Sequence, residues 1–159
     1  MANFLVIAAS STLGKSTCQL LQKDGHRVYQ TSRTSDKITP DSILDATNFE
    51  AVDAVFALAK KSLGYIDGVV NFSGSLLLKP ASSTNQEEYY QIIQSSLTTS
   101  FATVRSAAKH IDRGGSVVLL SSAADLTPIP RSPNYEHNIN LKDRSLRYAS
   151  KKQEESQKR

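Results

Sequence analysis

The sequence predicts an α/β protein in which a parallel sheet of about five strands lies between two layers of helices. Short, continuous apolar segments alternate along the chain with longer segments whose apolar residues recur at helical spacing. Continuous apolar strands are typical of parallel sheets that are buried on both faces. Because the segments alternate regularly over most of the 159 residues, one doubly wound domain with an αβα layer order is expected.

The first half of the chain predicts three strands, at residues 4–9, 26–31 and 42–46. The helix after the first strand is expected to be capped by one of three hydroxyl residues, Ser10, Ser11 or Thr12. Its predicted inner face consists of Leu13, Thr17, Leu20 and Leu21, and Gly25 is expected at its end. A second helix is predicted to follow a cap at Thr47 or Asn48. Its predicted apolar face consists of Val52, Val55, Phe56, Leu58 and Ala59, and Gly64 is expected to end it.

The second half predicts a fourth strand at residues 66–72 and a fifth at residues 116–120, after Gly114 and Gly115. Between them, Thr84 and Glu87 have the spacing of a capping box, which predicts the start of a long helix. Its predicted apolar face consists of Tyr89, Ile92, Ile93, Leu97, Phe101, Val104 and Ala108.

Composition excludes several classes of protein and divides the chain near Pro130. No apolar run approaches the roughly 20 residues that span a bilayer, and no charged leader precedes the first strand, so a cytoplasmic protein is expected. The single cysteine, Cys18, excludes an internal disulfide. The net charge of +4 comes from residues 131–159, which hold eight of the 19 Lys and Arg. We therefore expect a domain at residues 1–130 and a basic, polar tail at residues 131–159 that is disordered or partly helical.

The polar residues after each strand are the candidates for ligand binding, because ligands of open parallel sheets bind beyond the carboxyl ends of the strands. The first strand leads through Ser10, Ser11 and Thr12 directly into a helix. Free backbone N–H groups and the helix dipole at such a point favour a phosphate.

Four motifs in order resemble the short-chain dehydrogenase/reductase family over residues 3–130. Ala8-xxx-Thr12-x-Gly14 stands where the family has Gly-xxx-Gly-x-Gly, and Asp45-Ala46-Thr47 stands where it has Asp-Val-Thr. Asn71-Phe72-Ser73-Gly74 resembles the family's Asn-x-Ala-Gly, and residues 115–124 resemble the strand that delivers its catalytic serine. The resemblance implies a Rossmann-like fold, a nicotinamide dinucleotide cofactor, and oxidoreductase activity on a small carbonyl or alcohol.

The motif positions imply a set of cofactor-binding residues. Arg33 follows the second strand, where the family distinguishes NAD from NADP, and a guanidinium there favours NADP over NAD because it can fork onto a 2′-phosphate. The implied cofactor-binding residues are Ser10, Ser11, Thr12, Leu13, Gly14, Arg33, Asp45, Asn71, Ser73 and Gly74.

The sequence also departs from the family pattern. Ala8 and Thr12 replace the first two glycines of the first motif, whose roles are a tight turn and a close approach of the backbone to the pyrophosphate. By register, Ser96 replaces the asparagine of the catalytic tetrad, and a hydroxyl does not reproduce both hydrogen-bonding roles of an amide.

The resemblance implies a catalytic serine, a tyrosine that supplies a proton, and a lysine one helical turn beyond it. Ser122 matches the serine by register. Two tyrosines compete for the second role. Tyr135 lies 13 residues beyond Ser122 but has no lysine four residues on, whereas Tyr148 has Lys152 at that spacing and requires an inserted loop at residues 131–147.

Three functions follow from these residues. The first is an NADP-dependent oxidoreductase of a small carbonyl or alcohol, without membrane association and with a homo-oligomer interface on the long helix at residues 84–108. The second is an inactive remnant that at most binds a nucleotide, because the chain departs from the family after about Pro130 and lacks the later strands. The third and weakest is nucleic-acid binding by the basic tail, whose eight cations are interleaved with four acids.

Overall fold

A computed structural model describes residues 1–112 and 114–121, which form a five-stranded parallel sheet with the order β3-β2-β1-β4-β5. The strands are β1 Asn3–Ile7, β2 Arg27–Ser32, β3 Ser42–Ile43, β4 Gly68–Asn71 and β5 Ser116–Leu119. All five strands are predicted from the sequence, although β3 is only two residues long. The chain leaves β1 toward β2 on one side, and β4 lies on the other side. The carboxyl end of β1 is therefore the point where the strand order reverses.

Helices cover both faces of this sheet. They are α1 Thr12–Lys23, α2 Phe49–Leu63, α3 Gln86–Ile92 and α4 Thr99–His110, with a π-helical segment at Ile93–Thr98 and a short 3₁₀ turn at Ala81–Ser83. Leu5 and Ile7 of β1 face the core under α2 and α4, whereas Val6 faces Cys18 of α1. The alternation along β1 therefore separates two cores, which confirms the doubly wound αβα architecture.

The helix caps agree with the sequence at α1 and α2 and differ at α3. Asn48 caps α2, and Gly64 follows its end with a φ of 89°. At α3 the capping box is formed by Asn85 and Glu88, so the predicted box of Thr84 and Glu87 is wrong by one residue. Glu88 is held in this position because Lys79 donates to both of its carboxylate oxygens at 2.8 Å.

The predicted inner face of α1 is wrong for Leu13 and Leu20. Leu13 and Leu20 are 53% and 61% exposed, while Gly14 and Cys18 are buried and Leu21 packs beside them. The small residues face the sheet because the helix lies close to the end of β1, where leucine side chains have no room. Leu58 of α2 is likewise exposed, although the rest of the predicted α2 face is buried.

Of the apolar residues predicted for the long helix after β4, Ile92 is buried, but α4 faces the sheet mainly with hydroxyl residues and alanine. Tyr89, Phe101 and Ala108 are exposed, whereas the face toward the sheet consists of Thr99, Ser100, Ala102, Thr103, Ser106 and Ala107. Burial of these hydroxyls costs little free energy, because several of them donate to backbone carbonyls one turn earlier in the same helix.

Asp53 joins α2 to α4. Its carboxylate accepts hydrogen bonds from Lys109 at 2.6 Å, from Ser106, and from Arg105 at 2.8 Å. These donors, Lys109 first, hold the pKa of Asp53 well below its usual range, so the carboxylate stays ionised. Helices α2 and α4, which pack on the same face of the sheet, are therefore joined by a charged contact as well as by the core.

Candidate functional site

The turn between β1 and α1 is the first part of the candidate site. Ala8 has a φ of 59°, in the left-handed region, at the place of the family's first glycine. The turn is held by hydrogen bonds from the Ala9 N–H to the Thr31 carbonyl at 2.8 Å and from the Ser11 N–H to the Ala8 carbonyl at 3.1 Å. Ser11 caps α1 by accepting from the Gly14 N–H at 3.0 Å. The turn thus keeps the conformation that a glycine would favour, although alanine occupies it.

We expect Ala8→Gly to raise the free energy of unfolding by about 1 kcal/mol. A left-handed backbone costs an L-residue roughly 1–2 kcal/mol, and the greater entropy of glycine in the unfolded chain offsets part of this gain. Urea denaturation measures the change. The control is Ala9→Gly, where φ is not positive and a buried methyl is lost, so a decrease is expected. A destabilised Ala8→Gly variant would contradict the strain assigned to Ala8.

Gly14 brings the first turn of α1 against the end of β1. A Cβ at this position would lie 2.6 Å from the Ala8 carbonyl oxygen and 2.8 Å from the Ala9 Cα. The retained glycine is therefore required by the packing of the helix on the strand. Thr12 and Leu13, in the same turn of α1, are exposed beside the free N–H groups of the helix start.

The end of β2 lies directly beside this turn. Ser32, the last residue of β2, is buried and donates to the Ser10 hydroxyl at 2.8 Å. The next residue, Arg33, is exposed and lies close enough to Asp45 to stabilise its negative charge. Ser10, Arg33 and Asp45, predicted from separate motifs, therefore share one edge of the sheet.

Asp45 lies beyond β3 and is held by Thr47. Its carboxylate accepts from the Thr47 N–H at 3.0 Å and from the Thr47 hydroxyl at 2.8 Å. These two hydrogen bonds, together with the charge of Arg33, lower the pKa of Asp45, so the group is ionised near neutral pH. Beyond β2 and β3, the edge therefore presents Asp45 as a fixed anion and Arg33 as an exposed cation.

The end of β4 contributes a buried amide. Asn71 is 1% exposed, and its Nδ2 donates to the Thr99 carbonyl at 3.2 Å and to the Thr103 hydroxyl at 2.8 Å. Its Oδ1 accepts from the Ser73 N–H at 2.7 Å. Because both ends of the amide are occupied inside the protein, Asn71 fixes the path of Ser73 and Gly74, and a contact of its side chain with a cofactor remains a prediction.

The π-helical segment beside Gly74 is not predicted from the sequence. The Ser96 hydroxyl lies 3.9 Å from where a Cβ of Gly74 would be, and its backbone carbonyl accepts from the hydroxyls of Ser100 at 2.7 Å and Thr99 at 3.3 Å. Ser95 also contacts Ser75 through their hydroxyls at 2.5 Å. Five of the six residues at 95–100 carry hydroxyl groups, which is a signal for this interruption because such side chains compete for the carbonyls of regular helix hydrogen bonds.

The structure thus brings together the predicted residues at the ends of β1, β2, β3 and β4. Ser122, Tyr135, Tyr148 and Lys152 lie outside the described residues. Among residues 1–112 and 114–121 no three His, Cys, Asp or Glu side chains form a group that could hold a metal ion. No helix in that same part of the chain has the length and apolar character needed to cross a membrane. Chemically, the described edge offers hydroxyl, backbone N–H and guanidinium donors suited to phosphate oxygens.

Comparison with known proteins places the chain among short-chain dehydrogenases. The model of the short chain dehydrogenase family matches residues 2–136. A hydroxynaphthalene reductase-like protein Arp2 from Metarhizium acridum is 26% identical, and the match covers 82% of this chain and 55% of that protein. The 3beta-hydroxysteroid dehydrogenase 1 of Eggerthella lenta is 27% identical, with 82% and 57% covered. The chain therefore spans little more than half the length of these curated relatives.

Solved structures share the fold. A Burkholderia cenocepacia protein with bound NADP, named as a dehydrogenase, superposes with a TM-score of 0.85 at 22% identity, covering 95% of this chain and 63% of the other. A short-chain type dehydrogenase/reductase from Mycobacterium ulcerans superposes with a TM-score of 0.86 at 20% identity, with 95% and 62% covered. Since the family model matches most of the chain, including every strand described above, this protein belongs to the short-chain dehydrogenase family.

Proposed function

We propose that residues 1–130 form the dinucleotide-binding part of an NADP-dependent oxidoreductase that acts on a small carbonyl or alcohol. The observation that carries this proposal is the hydrogen bond between Ser32 and Ser10, because it joins the phosphate-favouring turn after β1 to the end of β2, where Arg33 is exposed. The two determinants expected for NADP, a helix start and a cation, are thereby neighbours at one edge of the sheet.

The residues present fit such a cofactor. The start of α1 supplies N–H groups, and Ser10 and Arg33 supply a hydroxyl and a guanidinium, all of which donate to phosphate oxygens. Asp45, which follows β3, is an anion near Arg33 at the same edge of the sheet. A bound nicotinamide cofactor would supply the hydride, while the protein supplies binding, orientation and a proton. In this proposal Ser122 orients the substrate carbonyl and Tyr148 holds the proton, with Lys152 lowering the pKa of the phenol.

We expect Arg33→Ala to weaken NADP⁺ binding roughly 10- to 100-fold and NAD⁺ binding much less, because a hydrogen bond to a charged group contributes about 1.5–3 kcal/mol. Isothermal titration with each cofactor measures the two dissociation constants. Lys23→Ala is the matched control, since it removes one positive charge at the opposite end of α1. Equal losses for both cofactors would remove Arg33 from the 2′-phosphate site.

Turnover is tested by NADPH oxidation with a panel of small carbonyls, using the unmodified chain, Tyr148→Phe and Tyr135→Phe. The proposal expects activity that falls at least 100-fold in Tyr148→Phe, since proton transfer contributes about 10²–10⁴-fold, and that persists in Tyr135→Phe. Loss of activity in Tyr135→Phe alone would show that the tyrosine assignment is wrong.

A second function, nucleotide binding without turnover, is favoured by the surroundings of Ser96. Its hydroxyl stands at the place of the tetrad asparagine, and its carbonyl already accepts from Ser100 and Thr99. The same panel distinguishes the two functions. Binding of NADPH with no oxidation by any carbonyl would support the second and contradict the first.

A further inference from the structure

Ser32 joins the turn after β1 to the end of β2, and its effect on the chemistry of Ser10 goes beyond that structural link. It is 1% exposed, at the last position of β2, and no substrate or cofactor could touch its hydroxyl without displacing the protein around it. Its hydrogen bonds nevertheless lead from the inside of the protein to the turn after β1. We infer that Ser32 is a positioning residue that makes Ser10 a donor toward a phosphoryl oxygen of the bound dinucleotide. The inference rests on the proposed function.

The direction of the hydrogen bonds is the first argument. The Ser32 oxygen accepts from the Thr34 N–H at 3.4 Å and donates its own hydrogen to the Ser10 oxygen at 2.8 Å. A hydroxyl has one hydrogen to donate, so Ser10, which accepts from Ser32, keeps its hydrogen for another partner. Within residues 1–112 and 114–121 the Ser10 side chain makes no other hydrogen bond. The free hydrogen is thus available to an oxygen outside the protein.

The position of Ser10 is the second argument. It directly precedes Ser11, the residue that caps α1, and follows the strained Ala8 and the buried Ala9. The main-chain bonds around it fix the turn, and the bond from Ser32 fixes its side chain. A half-buried hydroxyl beside a helix start that accepts one hydrogen bond, and that finds no acceptor among the described residues, suits an acceptor such as a phosphate oxygen.

The chain of donors is the third argument. The Thr34 N–H donates to the Ser32 hydroxyl over 3.4 Å, the Ser32 hydroxyl donates to the Ser10 hydroxyl at 2.8 Å, and successive hydrogen bonds of this kind polarise one another. The relay therefore makes Ser10 a stronger donor than an isolated serine. The oxygen that it meets belongs to either the 2′-phosphate or the pyrophosphate, because both carry the same chemistry at this edge.

The test is a double-mutant cycle with Ser10→Ala, Ser32→Ala and the double variant, measured by isothermal titration with NADP⁺ and NAD⁺. We expect Ser10→Ala to weaken NADP⁺ binding about 10-fold, as for a hydrogen bond to a charged group. Ser32→Ala should weaken it about 3- to 5-fold, but should have almost no effect when Ser10 is already alanine. Losses for NADP⁺ only would assign the 2′-phosphate, whereas equal losses for both cofactors would assign the pyrophosphate.

Ser16→Ala is the control, because the Ser16 hydroxyl only bonds to the Thr12 carbonyl on the exposed side of α1. Thermal unfolding of each variant identifies any general loss of structure. If Ser32→Ala weakens binding equally with and without Ser10, its role is structural and the relay is overturned while the proposed function stands. If the unmodified chain binds neither cofactor at millimolar concentration, the proposed function itself fails and the relay fails with it.

Discussion

Replacing Gly14 by alanine is expected to lower the free energy of unfolding by about 3 kcal/mol, because the added methyl group has no space. The added Cβ would lie 2.6 Å from the Ala8 carbonyl oxygen and 2.8 and 2.9 Å from two Ala9 backbone atoms. These are main-chain atoms of the turn that follows β1, so the clash cannot be relieved by movement of a flexible side chain. Helix α1 would have to shift away from the sheet, and the nucleotide turn would shift with it.

Urea denaturation measures this loss, and Gly74→Ala is the matched control. A Cβ at Gly74 has only the Ser96 hydroxyl near it, at 3.9 Å, and the φ of Gly74 is not positive. The control should remain within about 0.5 kcal/mol of the unmodified chain. Similar stabilities for Gly14→Ala and the unmodified chain would contradict the close packing of α1 on β1.

Replacing Asn71 by alanine is expected to lower the free energy of unfolding by about 3 kcal/mol, because it removes two buried hydrogen bonds and one partly buried one, which leaves the Ser73 N–H without its acceptor. The loop after β4 would lose the bond that sets its direction. The same urea experiment measures the loss. Asn85→Ala is the control, since this exposed capping asparagine should cost only about 1 kcal/mol. If the two variants lose equal stability, the buried network contributes less than assigned.

Strand β1 could be predicted from the sequence because burial on both faces makes it a short, continuous apolar run, and the other strands could be predicted from their alternation with longer segments of helical spacing. The helix faces could not. The inner face of α1 is small, with Gly14 and Cys18 against the sheet, and hydropathy alone favours the larger Leu13 and Leu20. On α4 the inner face is formed by threonine and serine, whose burial depends on hydrogen bonds to their own helix. Periodicity does not report these bonds.

The sequence predicted which strand ends meet at the candidate site, but not the hydrogen bonds between their side chains. Ser10, Arg33 and Asp45 come from motifs far apart in sequence, and parallel topology brings them to one edge. The hydrogen bond from Ser32 to Ser10 was not predicted, because the sequence of a strand does not show which residue a serine hydroxyl will bond to. The internal role of Asn71 was missed for a similar reason, since its partners Thr99 and Thr103 lie about 30 residues away on a helix whose inner face was misassigned.

The most direct test of the central claim, that the turn after β1 and the end of β2 bind the phosphates of NADP, is an amide NMR titration of the full chain with NADP⁺. We expect the amide signals of residues 8–14 and 32–34 to shift most. The shifts of residues 32–34 should become small when NAD⁺ replaces NADP⁺. No shifts at millimolar NADP⁺, or shifts confined to residues outside this edge of the sheet, would contradict it.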